Sequence, residues 1–154
     1  MTVRRVLIPY NFSGQDQKAL DFVTGTFASS DLIRITLFNT YTLPPDMPVK
    51  GSPVMEKMSS NLGYLKQKVS EQKVALEKVQ QHLEESGFRR ENINIIFTPR
   101  KKDIATEIVT LAVGGNYDLV VINRKPGKIS GFFSGNVHSK VVGALKGVVV
   151  CVVS

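Results

Sequence analysis

The sequence predicts an α/β fold in a single domain, residues 1–154, built on a five-stranded, mostly parallel, doubly wound sheet with helices on both faces. Three observations predict it. Short β-branched runs such as Val6-Leu7-Ile8 and Val120-Val121-Ile122 are apolar at every position, which suits strands buried on both sides of a parallel sheet. Between them lie stretches whose apolar residues fall three and four apart, the helical spacing, and these are long enough to cross over from one parallel strand to the next. Strand and helix alternate throughout.

The first strand is Val6-Leu7-Ile8-Pro9, with a turn at Tyr10-Asn11-Phe12-Ser13-Gly14. From Asp16 to Ser29, Leu20, Val23 and Phe27 form a helical stripe that Ala19 widens, and Ile33 to Asn39 is the second strand. Thr42 to Ser60 carries Pro44, Pro45, Pro48, Gly51 and Pro53 and is expected to be a long loop, because proline disrupts both helix interiors and central strands. Ser60 to Ser86 is a long amphipathic helix with Leu62, Leu65, Val69, Leu76, Val79 and Leu83 on its apolar stripe, and Gly87 stops it.

Ile93 to Phe97 is the third strand, closed by Thr98-Pro99. Asp103 caps a helix in which Ile104, Ile108, Leu111 and Ala112 share a face, and Gly114-Gly115-Asn116 ends it. Asp118 to Ile122 is the fourth strand. A basic, glycine-containing segment follows, and helical spacing resumes at Val137, Val141, Val142 and Leu145 before a fifth strand, Val148 to Val153.

Composition narrows the function classes. The single cysteine, Cys151, lies in an apolar run, so no intramolecular disulfide forms and a core or interface role is expected. The amino terminus has no signal-peptide core and no run is long enough to span a bilayer, so a cytoplasmic protein without membrane attachment is expected. A net charge of +7 is compatible with nucleic acid, an anionic surface or an anionic small ligand. Without an RNP-type aromatic motif or zinc-finger spacing, nucleic acid is not the expected partner.

The chemistry-bearing residues point away from catalysis. His82 and His138 lack a second ligand at metal spacing and read as solvated helical histidines. Ser13 lies outside any nucleophile elbow and reads as a helix-start cap. Neither the P-loop nor the dinucleotide fingerprint is present. What remains is the crevice at the carboxyl ends of the strands, where open α/β sheets bind ligands; Asn11, Phe38, Asn39, Thr98 and Asn123 stand there. After Asn123, the cationic segment with Arg124, Lys125 and Lys128 leads into a helix, an arrangement that attracts anions through backbone N–H groups and the helix dipole.

Arg5-Val6-Leu7-Ile8-Pro9-Tyr10-Asn11-Phe12-Ser13 with Lys18-Ala19-Leu20, and Asp103 to Ala112, Tyr117 to Ile122, Gly135-Asn136-Val137 and Lys140-Val141-Val142, resemble the start and the last third of universal stress proteins. The resemblance spans nearly the whole chain. It implies a Rossmann-like sheet of the adenine nucleotide alpha hydrolase type and a stress-response or signalling module. It also implies a nucleotide site formed by Pro9, Asn11, Phe38, Ile122, Asn123, Gly127, Gly135, Asn136 and Val137, for ATP or another adenine nucleotide with Mg²⁺, and a homodimer paired through Val148 to Val153.

Members that bind ATP are similar in carrying G-x-x-G-x9-G-[ST] after the fourth strand and an Asp at the end of the first. Here Asn11 replaces that Asp, Asn123 replaces the first glycine, only seven residues separate Gly127 from Gly135, and Asn136 replaces the hydroxyl residue. Asn123 brings a Cβ where close backbone approach is needed, and Pro126 removes a donor. Phe132 and Phe133 are read as packing the loop onto the body. The expectation is a non-enzymatic module whose nucleotide site is degenerate. Two alternatives stand beside it: an ATP-dependent switch or slow ATPase, and an interaction protein that turns its basic surface and Pro-rich loop to an acidic partner or nucleic acid.

Overall fold

The computed structural model describes residues 2–42, 53–124 and 137–154. The elements follow in the order β1 (Arg4–Pro9), α1 (Asp16–Phe27), β2 (Ile33–Tyr41), α2 (Pro53–Glu85), β3 (Ile93–Pro99), α3 (Ile104–Gly114), β4 (Leu119–Asn123), α4 (Val137–Ala144) and β5 (Val149–Val153). All strand pairings are parallel and the strand order is β3-β2-β1-β4-β5. The chain winds outward from β1 in one direction and then, after α3, in the other. The switch therefore lies between β1 and β4.

Side chains alternate across the pleat and give the sheet two cores. Val6 and Ile8 of β1, with Ile35, Leu37 and Val121, pack against Leu20 and Val23 of α1 and Leu76, Val79 and Leu83 of α2. Leu7, Phe38, Val120 and Ile122 point to the opposite face and meet Ala105, Ile108 and Ala112 of α3 and Val141 of α4. Burying a leucine or isoleucine of this kind contributes about 1.5–3 kcal/mol. Both faces of β1 are filled, which makes it the rigid floor from which the adjoining turn projects.

Several boundaries differ from the sequence expectation. Helix α2 starts at Pro53, so residues 53–60, expected as loop, are helical. Proline is compatible with a helix start, where its fixed φ is helical and its missing N–H has no intrahelical partner to lose. The rest of the expected loop falls on residues 43–52, outside the described residues. Strand β2 continues to Tyr41 and β3 to Pro99, two residues past each expected end, because their ladder extends to the pair Tyr41 and Pro99. As an edge strand, β3 tolerates a proline there.

Local chemistry explains the other ends. Gly87 takes φ +112° after α2, a conformation that favours glycine. Asp103 caps α3 by accepting from the Thr106 amide at 3.1 Å and the Thr106 hydroxyl at 2.6 Å, as expected. A Cβ at Gly115 would lie 2.4 Å from the Tyr117 ring, so only glycine lets the chain turn that closely. Tyr117 is thereby buried, its hydroxyl donating to Thr36 Oγ1 at 2.8 Å.

Candidate functional site

At the switch point, β1 runs out at Pro9 and the chain bends through Tyr10, Asn11 and Phe12 into α1. Tyr10 prolongs the ladder by donating its amide to the Phe38 carbonyl at 2.8 Å. Phe12 then adopts φ +59°, a left-handed conformation that costs a non-glycine residue energy. Its ring is held edge-on against Tyr10 at 5.1 Å and Phe97 at 6.5 Å, contacts that offset the strain. The bend turns the backbone amides of Asn11 and Ser13 toward the start of α1.

Asp16, in the first turn of α1, receives them. Its Oδ1 accepts from the Asn11 amide at 3.1 Å and from Asn123 Nδ2 at 2.5 Å, and its Oδ2 accepts from the Ser13 amide at 2.7 Å. Asn11 completes the ring by donating Nδ2 to Asn123 Oδ1 at 3.0 Å, while its own Oδ1 accepts from the Ser13 amide at 3.2 Å. Asp16 is only 2% exposed and Asn123 8%. The ends of β1, β4 and α1 are thus tied by one network of two amides and a carboxylate.

The electrostatics follow from this enclosure. Burial pushes the Asp16 carboxyl above the usual aspartate range, opposed by hydrogen bonds from the Asn11 and Ser13 amides, the Asn123 side chain and the Phe12 amide. The Tyr10 phenol is also raised, first by burial and then by the nearby Asp16 charge. Asn11 is suited to its position: an aspartate there would set a second carboxylate beside Asp16, and like charges at that separation repel.

Above the network is a cavity of about 380 Å³ whose described lining includes Asn11, Ser13, Gln15, Asn123, Arg124, Val137 and His138. Arg124 is fixed by its amide, which donates to the Val153 carbonyl of β5 at 2.7 Å. A cationic guanidinium, an imidazole and amide groups around a cavity favour an anion, and Arg matches phosphate or carboxylate geometry. A divalent cation fits less well. The Asp16 oxygens already accept three hydrogen bonds, and among the described residues no three of His, Cys, Asp or Glu are grouped to hold a metal ion.

The expected site residues therefore divide. Asn11, Asn123 and Val137 come together at this cavity. Pro9 and Ile122 are buried beneath it, Ile122 in the core facing α3 and α4. Phe38 and Thr98 line a separate cleft beside α3. Asn39 is turned to its own backbone, accepting from the Thr40 amide at 2.6 Å. Gly127, Gly135 and Asn136 lie outside the described residues, as do Lys125, Lys128, Phe132 and Phe133. Ser13 does not cap α1 with its side chain; Gln15 occupies the cap position, and the Ser13 hydroxyl accepts from the Gln15 amide at 3.3 Å. Asp16 was missed by the sequence reading, although Ser13-x-x-Asp16 has the form of a capping box, in which the acidic residue reaches back to an earlier amide.

The other polar features lie elsewhere. Asp118, at the amino end of β4, accepts from Arg4 Nη1 at 2.9 Å and the Arg5 amide at 2.8 Å. Cys151 is half-buried on β5, and burial raises its thiol pKa. Among the described residues no helix is long and apolar enough to cross a membrane.

Comparison with known proteins adds to this geometry. The universal stress protein family matches residues 2–152. No curated protein matches the chain. Among solved structures, a universal stress protein UspA from Lactobacillus plantarum is similar at TM-score 0.69 and 18% identity, over 100% of this chain and 99% of that one. A universal stress protein in complex with cAMP gives 0.64 and 18%, over 99% and 98%. A universal stress protein family protein from Arabidopsis thaliana with AMP bound gives 0.63 and 14%, over 97% and 90%.

Proposed function

The chain belongs to the universal stress protein family, and from that membership we propose that it is a non-enzymatic, cytoplasmic stress-response or signalling module whose nucleotide site is closed by its own side chains. The observation that carries this reading is the network in which Asn11 is joined to the buried Asn123 and Asp16. In it, Asn123 fills the switch point with a side chain where the nucleotide-binding pattern of the family has glycine. The Asp16 carboxylate faces inward with its acceptors occupied. Neither group is left to hold a base or a ribose without first breaking bonds that stabilise the fold. Calorimetric titration with AMP and with ATP and Mg²⁺ tests the proposal; heat corresponding to one tightly bound nucleotide per chain overturns it.

A second reading has its own support. The cavity with Arg124 and His138 is suited to an anion, and relatives of the same fold are found with cAMP and AMP. On this reading the protein is a nucleotide-dependent switch that senses an adenine nucleotide through Arg124, and Gly127, Gly135 and Asn136 contribute from the segment after β4. Protein purified from cells then carries a nucleotide, which mass spectrometry detects.

We further propose a homodimer through β5. Among the described residues this strand pairs only with β4, which leaves one row of its backbone groups without a partner there, and Val149 and Val152 are 64% and 38% exposed. An apolar edge of this kind is normally covered. Light scattering is expected to give twice the chain mass for the native protein and the monomer mass for Val152→Lys.

A further inference from the structure

Helix α2 outruns the sheet it covers. Its 33 residues make it about 50 Å long at a rise of about 1.5 Å per residue, whereas the nine residues of β2, the longest strand, span about 30 Å. The excess shows in its apolar stripe. Leu76, Val79 and Leu83, toward the C-terminal end, are buried in the core with α1 and β1. Leu62, Leu65 and Val69 lie on the same stripe but are only partly buried, and among the described residues they belong to neither core. Gln72, the one polar residue of the stripe, marks where the core ends.

The spacing continues past that point. Leu62, Leu65, Val69, Gln72, Leu76, Val79 and Leu83 fall alternately three and four apart without a break, and in the sequence the pattern reaches back to Met58 and Met55. This alternation is the repeat by which one helix receives another along its length, and the sheet uses only the last part of it. Beside the remainder the molecule is open. Lys66, Val69 and Lys73 form one wall of a groove of about 890 Å³, and Ile95 and Phe97 of β3 with Tyr41 of β2 form the other. Glu77 and Glu84 line its far end, where Glu84 is paired with Arg90 at 2.8 Å.

The charges beside the stripe select the partner. Helical geometry puts the residues just after Leu65, Gln72 and Val79, and those just before Leu62, Val69 and Leu76, on its two flanks. Three of them are the exposed lysines Lys66, Lys68 and Lys73, and none is an acid. Among the described residues these lysines make no ion pair. A second copy of the helix would set lysine against lysine along both flanks, which opposes self-pairing. A helix with glutamates or aspartates at those positions meets an opposite charge on each side.

We propose that this half of α2 is a docking surface for an acidic amphipathic helix of another protein. The apolar face of that helix lies along Leu62, Leu65 and Val69, and its carboxylates face Lys66, Lys68 and Lys73. Charge complementarity fixes the choice of partner, and the uninterrupted stripe requires that the partner be helical rather than merely acidic. The groove shares no lining residue with the cavity at Asn11 and Asn123, so docking is independent of whether a nucleotide binds there.

The experiment is calorimetric titration of the full chain with three peptides. The first is four repeats of Glu-Ile-Ala-Ala-Leu-Glu-Lys, an amphipathic helix with glutamate on both flanks of its apolar stripe. The second exchanges Glu and Lys throughout, and the third has the composition of the first in scrambled order. Wild type is expected to bind one acidic helix per chain, and the other two peptides at least tenfold more weakly. Lys66→Glu, Lys68→Glu and Lys73→Glu together are expected to reverse the preference between the first two. Leu65→Asp with Val69→Asp is expected to weaken the acidic helix at least tenfold while circular dichroism shows the fold unchanged. The proposal is overturned if the acidic helix does not bind wild type below a Kd on the order of 100 μM, or if the scrambled peptide binds equally well. It is also overturned if the triple lysine variant keeps the wild-type preference, or if the variant at Leu65 and Val69 binds as wild type does.

Discussion

Two aspartates lie near opposite ends of the β1–β4 pair, and their charges are handled in opposite ways. At the amino end, Asp118 faces solvent beside Arg4 and takes the Arg5 amide; its carboxyl is held below the usual aspartate range, first by that amide and then by Arg4. At the carboxyl end, Asp16 is enclosed, and burial raises its carboxyl despite the donors that surround it. Both tie distant parts of the chain together. The difference teaches that hydrogen bonds alone do not set a carboxylate's character: with similar donors, the degree of enclosure decides whether the charge is welcome. The amino end is therefore a structural clip, and the carboxyl end holds a costly charge that persists only while its donors remain in place.

The largest effect is expected from breaking the enclosed end. Asp16→Ala removes the acceptor of two backbone amides and of Asn123 Nδ2 together. Leaving such donors unpaired is expected to lower stability by about 3 kcal/mol, read from urea unfolding at neutral pH. Asn123→Gly removes only the side-chain link between Asn11 and Asp16 and is expected to cost about 1–2 kcal/mol. Asp118→Asn is expected to cost under about 1 kcal/mol at pH 7, because its ion pair is solvent-exposed.

The pH dependence sharpens the contrast. Asp118 has a folded value below its unfolded one, so its contribution is present above the usual aspartate range and is lost as pH falls through the folded value. Asp16 has the opposite sign: its ionised form is disfavoured in the fold, so it subtracts from stability above its raised folded value, and that loss is relieved as pH falls through it. Unfolding of Asp118→Asn followed in acid is expected to lack part of the decline seen in wild type below the usual aspartate range. An unchanged decline would show that the clip at the amino end does not work through its charge.

The fold was legible because its signals are local. All-apolar runs gave the strands, three-and-four spacing gave the helices, and Asp103 and Gly87 marked their ends through chemistry confined to a few residues. The site was legible only in part. Asn11 and Asn123 were placed together by the rule that ligands gather at strand ends, and the structure joins their side chains. Phe38 stands apart from them because that rule locates a residue along a strand but not on a face; the alternation with Leu37 turns its ring toward α3. Asp16 was overlooked because its partner Asn123 is 107 residues away. No local pattern announces such a contact, although the capping-box spacing with Ser13 was there to be read. The helical start at Pro53 was missed because proline was read only as a breaker.

The proposed closure of the switch point is tested most directly by titrating AMP into wild type and Asn123→Gly under the same conditions. Opening the floor is expected to restore binding: wild type with a Kd weaker than about 1 mM and Asn123→Gly at least tenfold tighter, a gain of about 1.4 kcal/mol or more. Micromolar binding by wild type that Asn123→Gly leaves unchanged or weakens would contradict the account.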